Sequence, residues 1–136
     1  MNRLNIRVYG ILEYRGKILL IEESYLQQII VKFPGGGLNF GEGLIDALKR
    51  EFLEELDLPI VIRSHFYTLD FFQPSAFCKQ EQFLAIYYKV YTHDLYRLKI
   101  LDPKIIRLYW TPLESLDEDI LTLPVDKKVV TLLKHE

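Results

Sequence analysis

Leu4, Ile6 and Val8 alternate with Asn5, Arg7 and Tyr9 near the start of the chain. A period of two marks a strand with one face buried, and here it runs on toward Tyr14. Arg15-Gly16 predicts a hairpin turn, because glycine accepts the positive φ that tight hairpin turns demand, and Lys17 to Glu22 supplies the partner strand. Ile29 to Phe33, rich in β-branched residues, predicts a third strand that stops at Pro34. Residues 35 to 43 hold five of the seven glycines and predict a loop. From Glu42 the period becomes helical. Ile45, Leu48, Phe52 and Leu56 fall on one apolar stripe, and Leu58-Pro59 is expected to close the helix, since the residue before proline is pushed out of the α region. Strands are predicted at about 60 to 72, 82 to 92 and 105 to 111, with Asp102-Pro103 and Thr111-Pro112 punctuating the last. Pro124 to Lys134 places Val125, Val129, Leu132 and Leu133 on one face and reads as a second helix. Strands bracketing a central and a terminal helix predict an α/β fold, a mixed sheet covered on both faces. No repeat, low-complexity tract or linker divides the chain, so residues 1–136 are expected to form a single domain.

Composition narrows the classes. Hydrophobic residues make up 49% and aromatics 13%, enough to bury a core and to exclude a disordered or collagenous chain. The longest apolar run, Phe83 to Tyr88, has six residues, against the ~18 to 20 of a membrane span. Met1 to Tyr9 lacks the basic and apolar regions of a secretory signal, so a cytoplasmic protein without membrane partners is expected. One cysteine, Cys78, excludes an internal disulfide, and with three histidines it leaves no zinc cluster; a metal here would be a hard one, held by oxygen. The net charge of −2 argues against a nucleic-acid partner. It is unevenly spread: from Glu42 to Asp57 six acids face two bases, a local −4, and the other 120 residues carry +2.

The acidic helix holds the candidate chemistry. Glu51, Glu54 and Glu55 stand at i, i+3 and i+4, where like charges repel at ~0.2 to 0.5 kcal/mol per pair. Arg50 can reach Glu54 at i+4 but cannot neutralise three acids. Such a row suits either a solvated helix face or a divalent cation, and Mg²⁺ or Mn²⁺ prefers carboxylate oxygen and keeps coordination positions for phosphates. The preceding Pro34-Gly35-Gly36-Gly37 favours the cation, because glycine runs are kept where backbone must approach a ligand or metal closely. The run is neither a Walker A loop, lacking the following Gly-Lys-Ser/Thr, nor a dinucleotide fingerprint, since Phe40 stands where that needs glycine.

Gly36, Glu42, Arg50, Glu51, Phe52, Glu54, Glu55 and Leu58 are spaced as in the signature of the Nudix hydrolases, and the 23 residues 36–58 closely resemble it. Asp57 stands where the signature has glycine, just past the helix end, where left-handed backbone is common; aspartate tolerates that region, so a small loss of stability is expected. Phe33-Pro34-Gly35, the opening hairpin, Trp110-Thr111-Pro112-Leu113 and the final helix are also like the family. The resemblance implies an α/β/α sandwich that hydrolyses a nucleoside diphosphate linked to another moiety, with Mg²⁺ or Mn²⁺, to a nucleoside monophosphate and a phosphorylated product. It implies metal ligation by Glu51, Glu54, Glu55 and the Gly36 carbonyl, orientation of a glutamate by Arg50, and support from Glu42. Glu54 is the first choice for general base or metal bridge. Neutralising phosphate charge and aligning a water are what such a reaction needs.

Relatives often carry a further glutamate before the last strand; here Lys104 stands near that place, and Asp102 is the nearest acid, although it also suits a turn ahead of Pro103. Glu81 competes for the same role. Phe66, Tyr67, Phe71, Phe72 and Phe77 suit core packing or stacking on a base. Pro74, sixteen residues beyond Leu58, resembles the ADP-ribose-cleaving subgroup and places ADP-ribose or a nucleotide sugar ahead of a nucleoside triphosphate. Arg7 and Lys32 suit ordinary solvent exposure first and contact with phosphates second, with Phe72 and Pro74 toward the rest of the substrate. A homodimer is compatible with the family. The alternatives are a non-catalytic nucleotide-binding or sensor module of the same fold, for which the intact glutamate set would be unnecessary, and a purely structural domain.

Overall fold

The computed structural model describes residues 2–75 and 78–136. Its elements are β1 (Arg3–Tyr14), β2 (Lys17–Tyr25), β3 (Gln28–Lys32), β4 (Gly35–Gly37), α1 (Leu44–Leu56), β5 (Val61–Thr68), β6 (Gln73–Pro74), β7 (Glu81–Tyr91), β8 (Ile105–Pro112) and α2 (Pro124–Lys134). In the β1–β2 hairpin Arg15 and Gly16 take φ of 51° and 77°, a two-residue turn whose twist matches that of the strands it joins. β1 then continues between β4, antiparallel, and β7, parallel from Arg3↔Glu81 to Leu12↔Val90. β2 lies between β3 and β8, both antiparallel. The result is a mixed sheet with β5 and β6 on the far side of β7.

Successive strand residues point to opposite faces, and both faces are apolar. Val8, Leu12, Leu19, Ile21 and Val90 pack with Ala47, Leu48, Phe52 and Leu56 of α1. Tyr9, Ile11, Ile18, Leu20, Phe33 and Tyr87 pack with Val125, Val129, Val130 and Leu133 of α2. This is an α/β/α sandwich, held chiefly by side chains whose full burial stabilises by about 1.5–3 kcal/mol each. Among the described residues no helix is long and apolar enough to cross a membrane.

Four features depart from the sequence expectation. Gly35–Gly37 is a strand rather than loop: it pairs with β1, and a Cβ at Gly35 would run into the Val8 carbonyl oxygen, so only glycine admits the approach. Ile45, in the first turn of α1, is 42% exposed, and Ala47 takes its place on the buried stripe. In α2 it is Val130 rather than Leu132 that is buried, because the apolar arc lies between the Val125/Val129/Leu133 and Asp126/Val130 rows. Finally, α1 is ended by Asp57 before Pro59 acts. Asp57 takes φ 54° and ψ 29° and its N–H donates to Leu53 O at 3.1 Å, the 5→1 bond of an αL helix stop, while Leu58 N–H donates to Phe52 O at 3.3 Å.

Candidate active site

Arg50, on the outer side of α1, organises the acids around it. Its Nε and Nη2 donate to the two Glu42 carboxylate oxygens at 3.0 and 2.7 Å, Nη1 donates to Glu51 and Glu54 at 3.1 and 3.2 Å, and Nη2 also donates to Gly37 O at 3.0 Å. One guanidinium thus ties the loop, strand β4 and helix α1 together. The hydrogen bonds from Arg50 and from the Asn39 N–H hold the Glu42 carboxyl below the usual range, and Glu42 in turn raises the Arg50 pKa.

Glu51 and Glu55 lie one turn apart on the side of α1 that meets β4. A Cβ on Gly36 would sit 2.5 Å from the Glu51 carboxyl carbon, so the glycine backbone and this carboxylate are in direct apposition. Glu55 Oε2 is buried with no hydrogen-bond partner among the described residues. Burial pushes the Glu55 pKa up; Lys32 opposes the shift, and the hydrogen-bonded Glu51 carboxyl adds to it. These acids also lie toward the C-terminal end of α1, where the helix dipole disfavours negative charge and the last turn has no basic residue. Glu54 is turned outward onto Arg50, its side chain 62% exposed. As the side chains stand, no three His, Cys, Asp or Glu among the described residues converge on one point. The donor set nevertheless fits a hard cation: two apposed carboxylates, one oxygen orphaned, against backbone that only glycine permits.

Opposite the glutamates stand cations. Lys32 is 3% exposed, with Nζ 3.4 Å from Glu23 and 5.6 Å from the Tyr9 ring centre. Burial works against its charge, but Tyr9 and Glu23 outweigh it and hold the ammonium above its ordinary pKa. Arg7 Nε donates to the Tyr9 hydroxyl at 3.0 Å. Arg7, Lys32, Glu23, Tyr25, the β4 glycines, Glu51, Glu54, Glu55 and residues 101–104 line one open cleft of about 460 Å³. Beneath it, Tyr9 stacks on Tyr87 at 5.1 Å, and the Tyr87 hydroxyl donates to buried Asp126 at 2.5 Å.

Gly36, Arg7, Lys32, Glu51, Glu54, Glu55 and Asp102 are therefore brought together, with Arg50 and Glu42 directly behind. Asp102 is engaged in its turn, Oδ1 accepting from the Lys104 N–H at 2.9 Å. Glu81 does not line the cleft: it lies at the open end of β7, where Asn5 donates to it at 3.3 Å and Arg3 pairs with it at 3.7 Å. Phe72, two-thirds exposed, lines a separate hollow beside Glu81. Pro74 borders that hollow and a small apolar one reaching Arg7 and Tyr9. Phe66 and Tyr67 pack on the α2-side core, Lys128 Nζ covers Phe71 at 4.9 Å, and Phe77 lies outside the described residues. Sequence reading missed Glu23 and Tyr9. The signal for Glu23 was the acidic pair Glu22-Glu23 ending the apolar run Ile18 to Ile21, where β2 carries a bulge.

Fold and site define a class: an α/β/α sandwich whose central helix, against a glycine strand, presents carboxylates to a cleft with buried Lys32 and half-buried Arg7 on its other wall. The NUDIX domain family matches residues 1–133, and the chain belongs to that family. It is accordingly a hydrolase acting on phosphoric anhydride bonds, in a family that acts on nucleoside diphosphate derivatives and generally uses divalent metal ions. Among solved structures it is similar to the MutT protein of Methanosarcina mazei Go1 (22% identity, 98% of this chain and 95% of that one, TM-score 0.78). The MutT NUDIX hydrolase of Burkholderia pseudomallei (18%, 95% and 97%, 0.78) and the ORF135 protein of E. coli (19%, 98% and 91%, 0.77) share the fold. No curated protein matches the chain by sequence.

Proposed function

We propose that this protein is a Mg²⁺- or Mn²⁺-dependent pyrophosphohydrolase that cleaves a nucleoside diphosphate linked to another moiety, with ADP-ribose or a nucleotide sugar ahead of nucleoside triphosphates. The products are a nucleoside monophosphate and a phosphorylated remainder. The observation that carries the reading is the Glu51 carboxylate set directly against Gly36, with Glu55 one turn on and its Oε2 without a partner among the described residues.

Glu51, Glu55 and the Gly36 carbonyl would hold the cation, joined by Glu54 once it leaves Arg50. When bound, the cation supplies charge neutralisation to the phosphates and acidifies a water. The chain's own residues do the rest. Lys32 and half-buried Arg7 bind phosphate oxygens from the opposite wall, and the burial of Lys32 strengthens its attraction. Arg50 fixes Glu51 and keeps Glu42 ionised. Glu54, the most exposed of the three helix glutamates, accepts the proton of the attacking water as its oxygen bonds to phosphorus and the anhydride P–O bond breaks.

The test is a panel of ADP-ribose, nucleotide sugars, dinucleoside polyphosphates and nucleoside triphosphates with Mg²⁺ and Mn²⁺, products being identified by phosphorus NMR. Glu54→Gln is expected to lower turnover at least ~100-fold with the fold intact. Undiminished activity in that variant would sink the role given to Glu54, and no turnover on any substrate would favour a nucleotide-binding module without catalysis.

A further inference from the structure

One wall of the cleft, residues 101–104, comes from a connection that starts far from it. After β7 the chain makes a short helical turn, Leu95–Arg97, and then runs past the C-terminal end of α1. There the carbonyls left over from the last turn of the helix are taken up by this connection. Lys99 N–H donates to Leu56 O at 3.1 Å, and Leu101 N–H donates to Glu55 O at 2.8 Å. Glu55 thus faces two ways, its carboxylate into the cleft and its carbonyl onto the wall. At the other end, Ser24 N–H of β2 donates to Lys104 O at 2.9 Å.

A side-chain link secures the first of these anchors. Asp57 Oδ1 accepts from Arg97 Nη2 at 2.9 Å, with the two side chains 34% and 39% exposed. Asp57 also holds φ at 54°, a conformation glycine would adopt with less strain. The carboxylate therefore does something at this corner that a backbone stop alone does not require. We propose that Asp57 and Arg97 are positioning residues, an ion pair that straps the 98–104 connection to the end of α1 and so fixes the cleft wall against which a diphosphate is held. The ligand half rests on the reading of this cleft as the anhydride-cleaving site.

Two variants separate this role from mere stability. Arg97→Ala removes the pair and keeps the strained backbone, so its melting temperature falls. Asp57→Gly removes the pair and the strain together, so its melting temperature holds or rises. Despite these opposite thermal effects, both are expected to speed amide hydrogen exchange at Lys99 and Leu101 by about tenfold or more relative to wild type. Both are also expected to weaken binding of imidodiphosphate, a non-cleavable diphosphate, in the presence of Mg²⁺ by roughly 3- to 10-fold in calorimetry. Asp57→Asn, which keeps an acceptor for Arg97 and tolerates positive φ, should recover part of both effects. Unchanged exchange at Lys99 and Leu101 in Arg97→Ala would overturn the strap. Faster exchange with unchanged imidodiphosphate affinity would overturn its role in holding ligand. If wild type binds no imidodiphosphate, the reading of the cleft falls and the ligand half with it, while the exchange measurement still decides whether the pair orders the wall.

Discussion

Asp126 carries a fully buried carboxylate into the α2-side core, where the Tyr87 hydroxyl donates to it at 2.5 Å and the Phe33 N–H also faces it. Burial raises its pKa from 3.8 to about 6, against the lowering effects of the Tyr87 hydrogen bond, the Lys32 and Arg7 charges and the Phe33 N–H. A folded pKa above the unfolded one means that the contribution to stability is full below pH 3.8 and is lost as pH rises through about 6. The swing is at most about 3 kcal/mol. Asp126→Asn keeps an oxygen for Tyr87 and removes the titration, so its melting temperature should fall less than that of wild type between pH 5 and 7.5. Parallel pH profiles would show that Asp126 does not titrate in this window. Residues of this kind leave no local signal, whereas Arg50, Glu51, Glu54 and Glu55 were legible because a helix turns sequence spacing into spatial proximity, and Glu42, outside the helix, through the resemblance of residues 36–58. Asp126 and Glu23 gain their neighbours, Tyr87 and Lys32, through sheet pairing and layer packing, which leave no local period.

At the scale of elements, the seam between β4 and α1 is where loop and strand were confused. Three glycines carry no alternation of side chains, so a strand made of them looks like a loop, and its partner β1 lies some 28 residues upstream (Val8↔Gly36). The consequence is mechanical. Gly36→Ala drives a methyl group into the Glu51 carboxyl at 2.5 Å, and Glu51 is held on its other side by Arg50. The variant should lose about 1–3 kcal/mol of stability in chemical denaturation, the usual cost of overpacking. It should also lose most of its Mg²⁺-dependent turnover, while retaining its helical circular-dichroism signal. Gly37→Ala is the control: its Cβ would meet nothing closer than 3.7 Å, a contact with Arg7 Nη1, so it should change stability little. Equal effects of the two substitutions would mean that the glycines serve chain flexibility rather than close approach to Glu51.

Across the whole molecule, the two helical stripes and alternating strands made the layering legible, but the parallel β1–β7 pairing at its centre joins segments some 78 residues apart (Arg3↔Glu81) and has no signature in either. The β2–β3 register (Ile21↔Lys32) and the β1–β4 register (Arg7↔Gly37) in turn set Lys32 and Arg7 across the cleft from the acids of α1, so the near-neutral net charge of −2 conceals a separation of sign. Folding brings Glu51 and Glu55 together at a cost, seen in the raised Glu55 pKa; on the proposed reading a divalent ion would take these acids as ligands, and binding to the folded state alone would stabilise it. At a hundred times the dissociation constant this gain is about 2.7 kcal/mol, on the order of 5–10 °C in melting temperature for a domain of this size. Glu55→Gln should reverse the balance. Its metal-free melting temperature should exceed that of wild type, because a buried carboxylate with an orphaned oxygen is replaced by a neutral amide, and its response to Mg²⁺ should shrink to a fraction of the wild-type rise. A lower metal-free melting temperature in Glu55→Gln would show that the carboxylate stabilises the fold by itself, through Lys32, and that the acids are not waiting for a cation.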